Sequence, residues 1–205
     1  MAHSGARGPA NKSGLPHSAL LNRLIVILLL IPINLPVHGK DNMAPGLRML
    51  LQQAITETDS FTDRFDAEVW LVDMSMRLEK HIPDHNKRIT LLKQVHHAAT
   101  RSQLQPELVL AVIDVESSFN RFAISEAGAM GLMQVMPFWL KEIGHPGDNL
   151  FNVRTNLRMG CTILKYYLDK ERGNLTHALM RYNGSKGRYR YTRKVFKALD
   201  THWQP

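Results

Sequence analysis

Cysteine is nearly missing from this chain: Cys161 is the only one in 205 residues, so no disulfide framework can form within one molecule. It falls in a helical apolar stripe, where a small core residue is expected rather than a reactive thiol. No cysteine closely follows the N-terminal apolar run, which excludes lipidation there. HExxH patterns and Cys/His clusters are also missing. His81 and His85 flank Pro83 in an expected turn, and the adjacent His96 and His97 would point to different faces of a helix. No metal and no cofactor are therefore expected. There is no zinc-finger or RNP-like spacing and no compact basic run interleaved with aromatics, which makes nucleic acid the weakest candidate partner. Internal repeats and low-complexity domains are absent too, so a solenoid is excluded.

Long apolar runs are equally scarce. Residues 24–31 (LIVILLLI) form the one unbroken stretch, which continues more weakly to Val37. It is short for a spanning helix and soon interrupted by proline, and Arg7, Lys12 and Arg23 precede it. That pattern suits a signal-peptide core, with Val37-His38-Gly39 as a partial match to a cleavage site. Residues 1–39 are thus expected to be a signal peptide or an N-terminal membrane anchor. The remainder is expected outside the cytoplasmic membrane, in the periplasm or cell envelope.

What is present begins with charge. Lysine and arginine number 26 against 18 acidic residues, a net charge of +8, and the pI is about 9.8. An anionic partner follows, with bacterial cell wall and acidic membrane ahead of nucleic acid. Apolar content is 44%, ordinary for a globular protein. Residues 40–46 read as a linker and 47–58 as a short helix. Apolar residues recur at helical spacing over 66–81, in two rows: Trp70, Met74, Leu78 and Val69, Val72, Met76. Pro83 breaks that pattern and Asp84 can cap a helix over 86–104, with Ile89, Leu92, Val95, His96 and Ala99 inward. Further helices are expected over 138–143, 152–172 and 175–182, the last started by Asn174 and stopped by Gly184. Gly160 should let another helix approach closely. The basic stretch 186–197, with Arg188, Arg190, Arg193 and Lys194, reads either as a solvated helix face or as a rim for acidic ligands.

The centre of the chain is LVLAVIDVESSFNRFAISEAGAMGLMQVMP, residues 108–137. Pro106 opens a helix at its first position, and Glu107 is an acid in the first turn. Val109, Val112 and Ile113 lie seven, four and three residues before Glu116, on its own helix face. A glutamate on an apolar face is desolvated, and the helix C-terminus adds a negative dipole end. Both raise its pKa, leaving a carboxyl partly protonated near neutral pH, as a general acid requires. The plainer reading is an exposed helix-end glutamate. Residues 130–136 are apolar with one amide inside, either a short strand or an irregular lining segment.

Glu116-Ser117, then Ser125, then the run Gly128-Ala129-Met130-Gly131-Leu132-Met133-Gln134, then Tyr182-Asn183 make a specific ordered set. Over roughly 104–195 the chain resembles the soluble lytic transglycosylase family, which is similar to goose-type lysozyme. One departure is Arg181-Tyr182-Asn183-Gly184-Ser185 where the family commonly reads AYNAG. The resemblance implies a mainly α, lysozyme-like α+β fold: a helical bundle around a central catalytic helix with a small non-helical or β insert. It implies an N-terminal helical extension over 40–100 and a catalytic domain over 101–205. The central helix should be buried by the 152–172 and 175–182 helices. The implied activity is that of a lyase acting on peptidoglycan glycan strands, cleaving the bond between N-acetylmuramic acid and N-acetylglucosamine and leaving 1,6-anhydro ends. Glu116 would act as acid and then base, and Ser125, Gln134, Met136, Tyr182 and Asn183 would hold the sugars. The other readings are a hydrolysing muramidase on the same fold and an inactive wall-binding or secretion-scaffold module. Association with a membrane or a secretion complex is compatible with all three.

A second carboxylate is the missing part of an ordinary glycosidase. Asp114 is two residues from Glu116, about 200° round the helix, and Glu126 in the following loop is the one near alternative. The resemblance implies that the substrate's own N-acetyl oxygen stands in for it.

Overall fold

The computed structural model describes residues 64–185 and 187–204. The expectations for residues 1–63, the signal or anchor, the linker and the short helix, lie outside the described residues. The remainder is mainly helical: α1 (Arg64–Arg77), α2 (His85–Arg101), α3 (Pro106–Ser117), α4 (Trp139–Ile143), α5 (Val153–Lys170), α6 (Leu175–Tyr182) and α7 (Arg190–Ala198), closed by a π-helical turn at Leu199–Trp203. No described helix is long and apolar enough to cross a membrane.

Caps and apolar stripes account for these elements. Asp84, Asn152 and Asn174 each accept a hydrogen bond from the backbone amide three residues on, Lys87, Thr155 and His177. On α1 and the turn that follows it, the row Ala67, Leu71, Met74 and Leu78 is fully buried. The second expected row is not a core row: Val69 and Met76 are exposed. A helix lying on one side of a core buries a single stripe, and the Met74 stripe occupies it. Arg88 is buried on α2, where its guanidinium donates to Ser75 Oγ and to the carbonyls of Ile82 and Pro83. It therefore holds the α1–α2 turn.

Residues Leu108 to Ile113 of α3 are all buried, so this helix is the centre of the core. It packs chiefly against α7, the π-helical turn and α2, whereas α5 packs against α6 and α2. This corrects the expectation that α5 and α6 would cover it. The reason lies in α7, whose Tyr191, Val195, Ala198 and Leu199 recur at i, i+4, i+7 and i+8 and are buried. The density of positive charge on its other face masks that stripe. Trp203 seals the contact: its side chain is buried and its indole donates to Asp114 Oδ2 at 3.1 Å.

After α3 the chain turns sharply through Ser118 and Phe119, both left-handed at φ 47° and 64°. An irregular insert follows, with two isolated bridges, Ile124 to Met130 and Met130 to Val135, rather than a sheet. The insert is seated on α5. The buried Asn156 side chain donates to the carbonyls of Met130 and Leu150 and accepts from the Met133 amide, all within 2.9 Å. Gly160 makes the second seat, since a Cβ there would lie 2.7 Å from Met133 Cβ. The close approach expected at Gly160 is real, but the neighbour is this insert and not another helix.

Candidate active site

Glu116 is the penultimate residue of α3, and its carboxyl opens into a cleft of about 320 Å³. The far wall comes from the segment joining α6 to α7, through Asn183, Ser185 and Arg188, and from the first turn of α7, through Arg190, Tyr191 and Lys194. The path to this arrangement is local. The run of buried residues before Glu116 carries it into the core, and the left-handed turn at Ser118 ends the helix there. Ser117 Oγ sits 2.8 Å from the Leu132 carbonyl and 3.1 Å from the Ile113 carbonyl, which ties the helix end to the insert.

Burial pushes the Glu116 carboxyl up to about 7 from an ordinary value of 4.5. The Tyr191 hydroxyl and the Asn183 amide act the other way by favouring its charged form. Tyr191 is buried, and its hydroxyl makes no hydrogen bond of ordinary geometry, although it is close enough to Glu116 for each to shift the other. The Ser185 hydroxyl is likewise buried without a partner. Two polar groups stand unsatisfied in the wall of a cleft holding a half-protonated acid. Such groups are costly to keep unless a ligand uses them.

Larger grooves of about 650 and 760 Å³ run beside α2 and α5. Their one carboxylate is Asp84, which is fully exposed. Its pKa is lowered chiefly because it accepts from the Lys87 amide. That is a helix cap and not an acid catalyst, so the smaller cleft is the candidate site.

The structure places the remaining expected site residues in two groups. Asn183 lines the cleft, and Tyr182 lies beneath it, near enough to Glu116 for the carboxylate to raise the phenol's pKa further after burial has done so. The Tyr182 hydroxyl donates to the Met133 carbonyl at 2.7 Å, fixing the insert from below. Ser125, Gln134 and Met136 stand in the insert and do not line this cleft. Ser125 is exposed; its Oγ accepts from the Ala129 amide and its own amide donates to the Ala129 carbonyl. Gln134 is left-handed at φ 49°, and its amide group donates to the carbonyls of Ala123 and Gly131. Met136 is half-buried at the end of the insert. Asp114 faces the other side of α3, bonded by Trp203 and His202, and Glu126 is exposed. Among the described residues Glu116 is therefore the only carboxylate lining the cleft. Among the described residues no group of three or more His, Cys, Asp or Glu side chains could hold a metal ion.

Sequence reasoning missed Tyr191, Ser185 and Asn156. The inward stripe of α7 is a signal that could have found Tyr191, because it sets that residue against α3. Nothing local marks Ser185 or Asn156.

Comparison with known proteins agrees on one family. The transglycosylase SLT domain model matches residues 93–203. A transglycosylase of Enterobacteria phage PRD1 is 38% identical over 87 residues, which cover 42% of this chain and 32% of that protein. The membrane-bound lytic murein transglycosylase C of Histophilus somni is 38% identical over 95 residues, covering 42% of this chain and 26% of that one. The protein of the same name from Yersinia pestis is 33% identical over 124 residues, covering 52% and 35%. This chain thus spans about a third or less of the length of these relatives. The 70 kDa soluble lytic transglycosylase of Escherichia coli superposes with a TM-score of 0.41 at 22% identity, over 72% of this chain and 24% of that one. With the family model matching more than half of its residues, from the middle of α2 to Trp203, the chain belongs to the transglycosylase SLT domain family.

Proposed function

We propose that this protein is a peptidoglycan lytic transglycosylase of the cell envelope, with Glu116 as its single acid and base. The observation that carries the reading is that the only carboxylate in the cleft is held at a pKa of about 7 by burial. A group so poised is well populated in both protonation states at neutral pH, which a residue that must first give and then take a proton requires.

Neutral Glu116 donates its proton to the oxygen between N-acetylmuramic acid and N-acetylglucosamine, and the C1–O bond breaks. The substrate's own N-acetyl oxygen stabilises the oxocarbenium-like carbon. The Glu116 carboxylate then takes the proton of the C6 hydroxyl as O6 bonds to C1, which closes the 1,6-anhydro ring. Glu116 ends neutral and no water is consumed. Asn183 and Tyr191, which favour the charged form, stabilise the carboxylate between the two transfers. Ser125, Gln134, Met136 and Tyr182 act on the substrate side through the insert, by shaping the surface over which the strand lies.

Digestion of purified peptidoglycan with mass analysis of the fragments tests this. Transglycosylation leaves ends one water lighter than hydrolysis does. Ordinary reducing ends in place of anhydro ends would make the protein a muramidase. Binding to sacculi without any fragment release would make it a wall-binding module.

A further inference from the structure

Arg188, Arg190 and Lys194 stand in the wall of the Glu116 cleft, and all three are exposed. None of these side chains makes a salt bridge or hydrogen bond to another described residue. Arg190 and Lys194 are four residues apart, so two like charges share one face of α7, an arrangement that destabilises a helix unless something neutralises it. No side chain caps the first turn of α7, so its free amides add positive potential at the same place. Burial, Tyr191 and Asn183 account for the state of Glu116, and no cation figures among the causes. The cleft thus joins a mostly buried acid to exposed positive charge.

The sugar rings of a glycan strand carry no charge. The anionic groups of peptidoglycan are the carboxylates of the stem peptides, attached to the muramic ring that contributes C1 to the scissile bond. With that ring at Glu116, its stem begins in the same cleft whose wall carries the three cations. Two guanidinium forks and an ammonium are suited to carboxylates, the forks bidentately. We propose that Arg188, Arg190 and Lys194 form a carboxylate-recognition rim that selects glycan strands bearing acidic stem peptides. The inference rests on the transglycosylase reading and adds to it the chemical group that sets substrate preference. The rim acts on binding and not on bond breaking.

The test compares three forms of the same sacculi: with free stem carboxylates, with those carboxylates converted to amides, and with the stems removed by an amidase. Release of anhydro ends is measured with the full chain at substrate levels below saturation. Preference for the acidic form over either of the others should be about tenfold, the effect of one surviving charge-assisted contact. In the R188Q/R190Q/K194Q variant the ratio should fall to about one, through KM rather than kcat, while R188K/R190K keeps part of it. Co-sedimentation of E116Q with the three sacculi gives a second readout that needs no turnover and should show the same order. Equal rates and equal binding on all three forms, or a preference that survives the triple glutamine variant, would overturn the rim. Reducing ends instead of anhydro ends, with the acidic-form preference intact, would overturn the transglycosylase reading and leave the rim standing.

Discussion

At the scale of single residues, the environment of Glu116 decides the chemistry. Glu116→Gln keeps the shape of the side chain and cannot transfer a proton. General acid–base help is worth about 10²–10⁴-fold, so loss of at least ~10²-fold in fragment release is expected, read as anhydro ends per unit time. Glu126→Gln, on an exposed loop residue, should retain most activity. Near-normal release by the first variant and loss in the second would move the acid to Glu126. The pH profile carries a further sign. The proposed reaction starts from neutral Glu116, so kcat/KM should fall as pH rises through about 7. Tyr191 favours the charged form of Glu116 and so lowers its pKa against the effect of burial. Removing the hydroxyl in Tyr191→Phe should therefore raise the pKa and move the falling limb of the profile to higher pH. A limb that stays in place, or moves down, would show that the hydroxyl does not act on Glu116. The raised pKa of Glu116 was legible from the sequence, because Val109, Val112 and Ile113 share its helix face. Tyr191 was not, since its partner lies 75 positions away in the chain.

At the scale of elements, the insert between α3 and α4 depends on α5 for its shape. Its own hydrogen bonds are those of turns and two isolated bridges, with no sheet ladder to fix its position on the core. Asn156 supplies two bonds to it, at Met130 and Met133, and a third to Leu150 in the segment before α5, all from one buried side chain. Asn156→Ala would leave the Met133 amide and the Leu150 carbonyl to find other partners, while the Met130 carbonyl keeps its bond from the Val135 amide. A loss of about 2–4 kcal/mol is expected at about 1–3 kcal/mol for each buried group left unpaired, with partial recovery by water. Chemical denaturation measures it. Gly160→Ala drives a methyl into Met133 and should cost about 1–3 kcal/mol. If either variant unfolded at the same midpoint as the parent, the insert would not be seated in this way. Both substitutions stand away from Glu116, but Met133 is also the acceptor for Tyr182, so an associated loss of activity is expected.

At the scale of the whole molecule, the buried Glu116 carboxyl reduces stability. Its pKa is about 7 when folded and about 4.5 when unfolded, so the native state binds the extra proton between those values. Stability therefore falls as pH rises from about 4.5 to 7, the sign opposite to that of a salt-bridged carboxylate. The full cost above pH 7 is on the order of 3–4 kcal/mol, at 1.36 kcal/mol per pKa unit. Glu116→Gln should be the more stable protein at pH 8 and should lose that advantage by pH 4. Denaturation curves at the two values give the comparison; an unchanged difference between them would mean that Glu116 titrates normally in the native state.

The helices, their caps and the buried face of α3 follow from short-range pattern: a side chain recurs every three or four residues, and an Asp or Asn begins the turn. The order of the family's motifs is likewise a linear property, and Glu116 could be singled out from it. Three features required the folded chain. The first is which helix covers α3, because the charge on α7 conceals an apolar stripe that only packing reveals. The second is the division of the expected sugar-site residues between the cleft and the insert, since the irregular backbone of 119–138 has no period from which side-chain direction can be read. The third is the meeting of Glu116 with Tyr191, Ser185 and the three cations of the rim. Local sequence encodes what a residue's near neighbours impose. Contacts between segments more than 60 positions apart depend on how several buried surfaces are satisfied at once, and only the tertiary structure decides that.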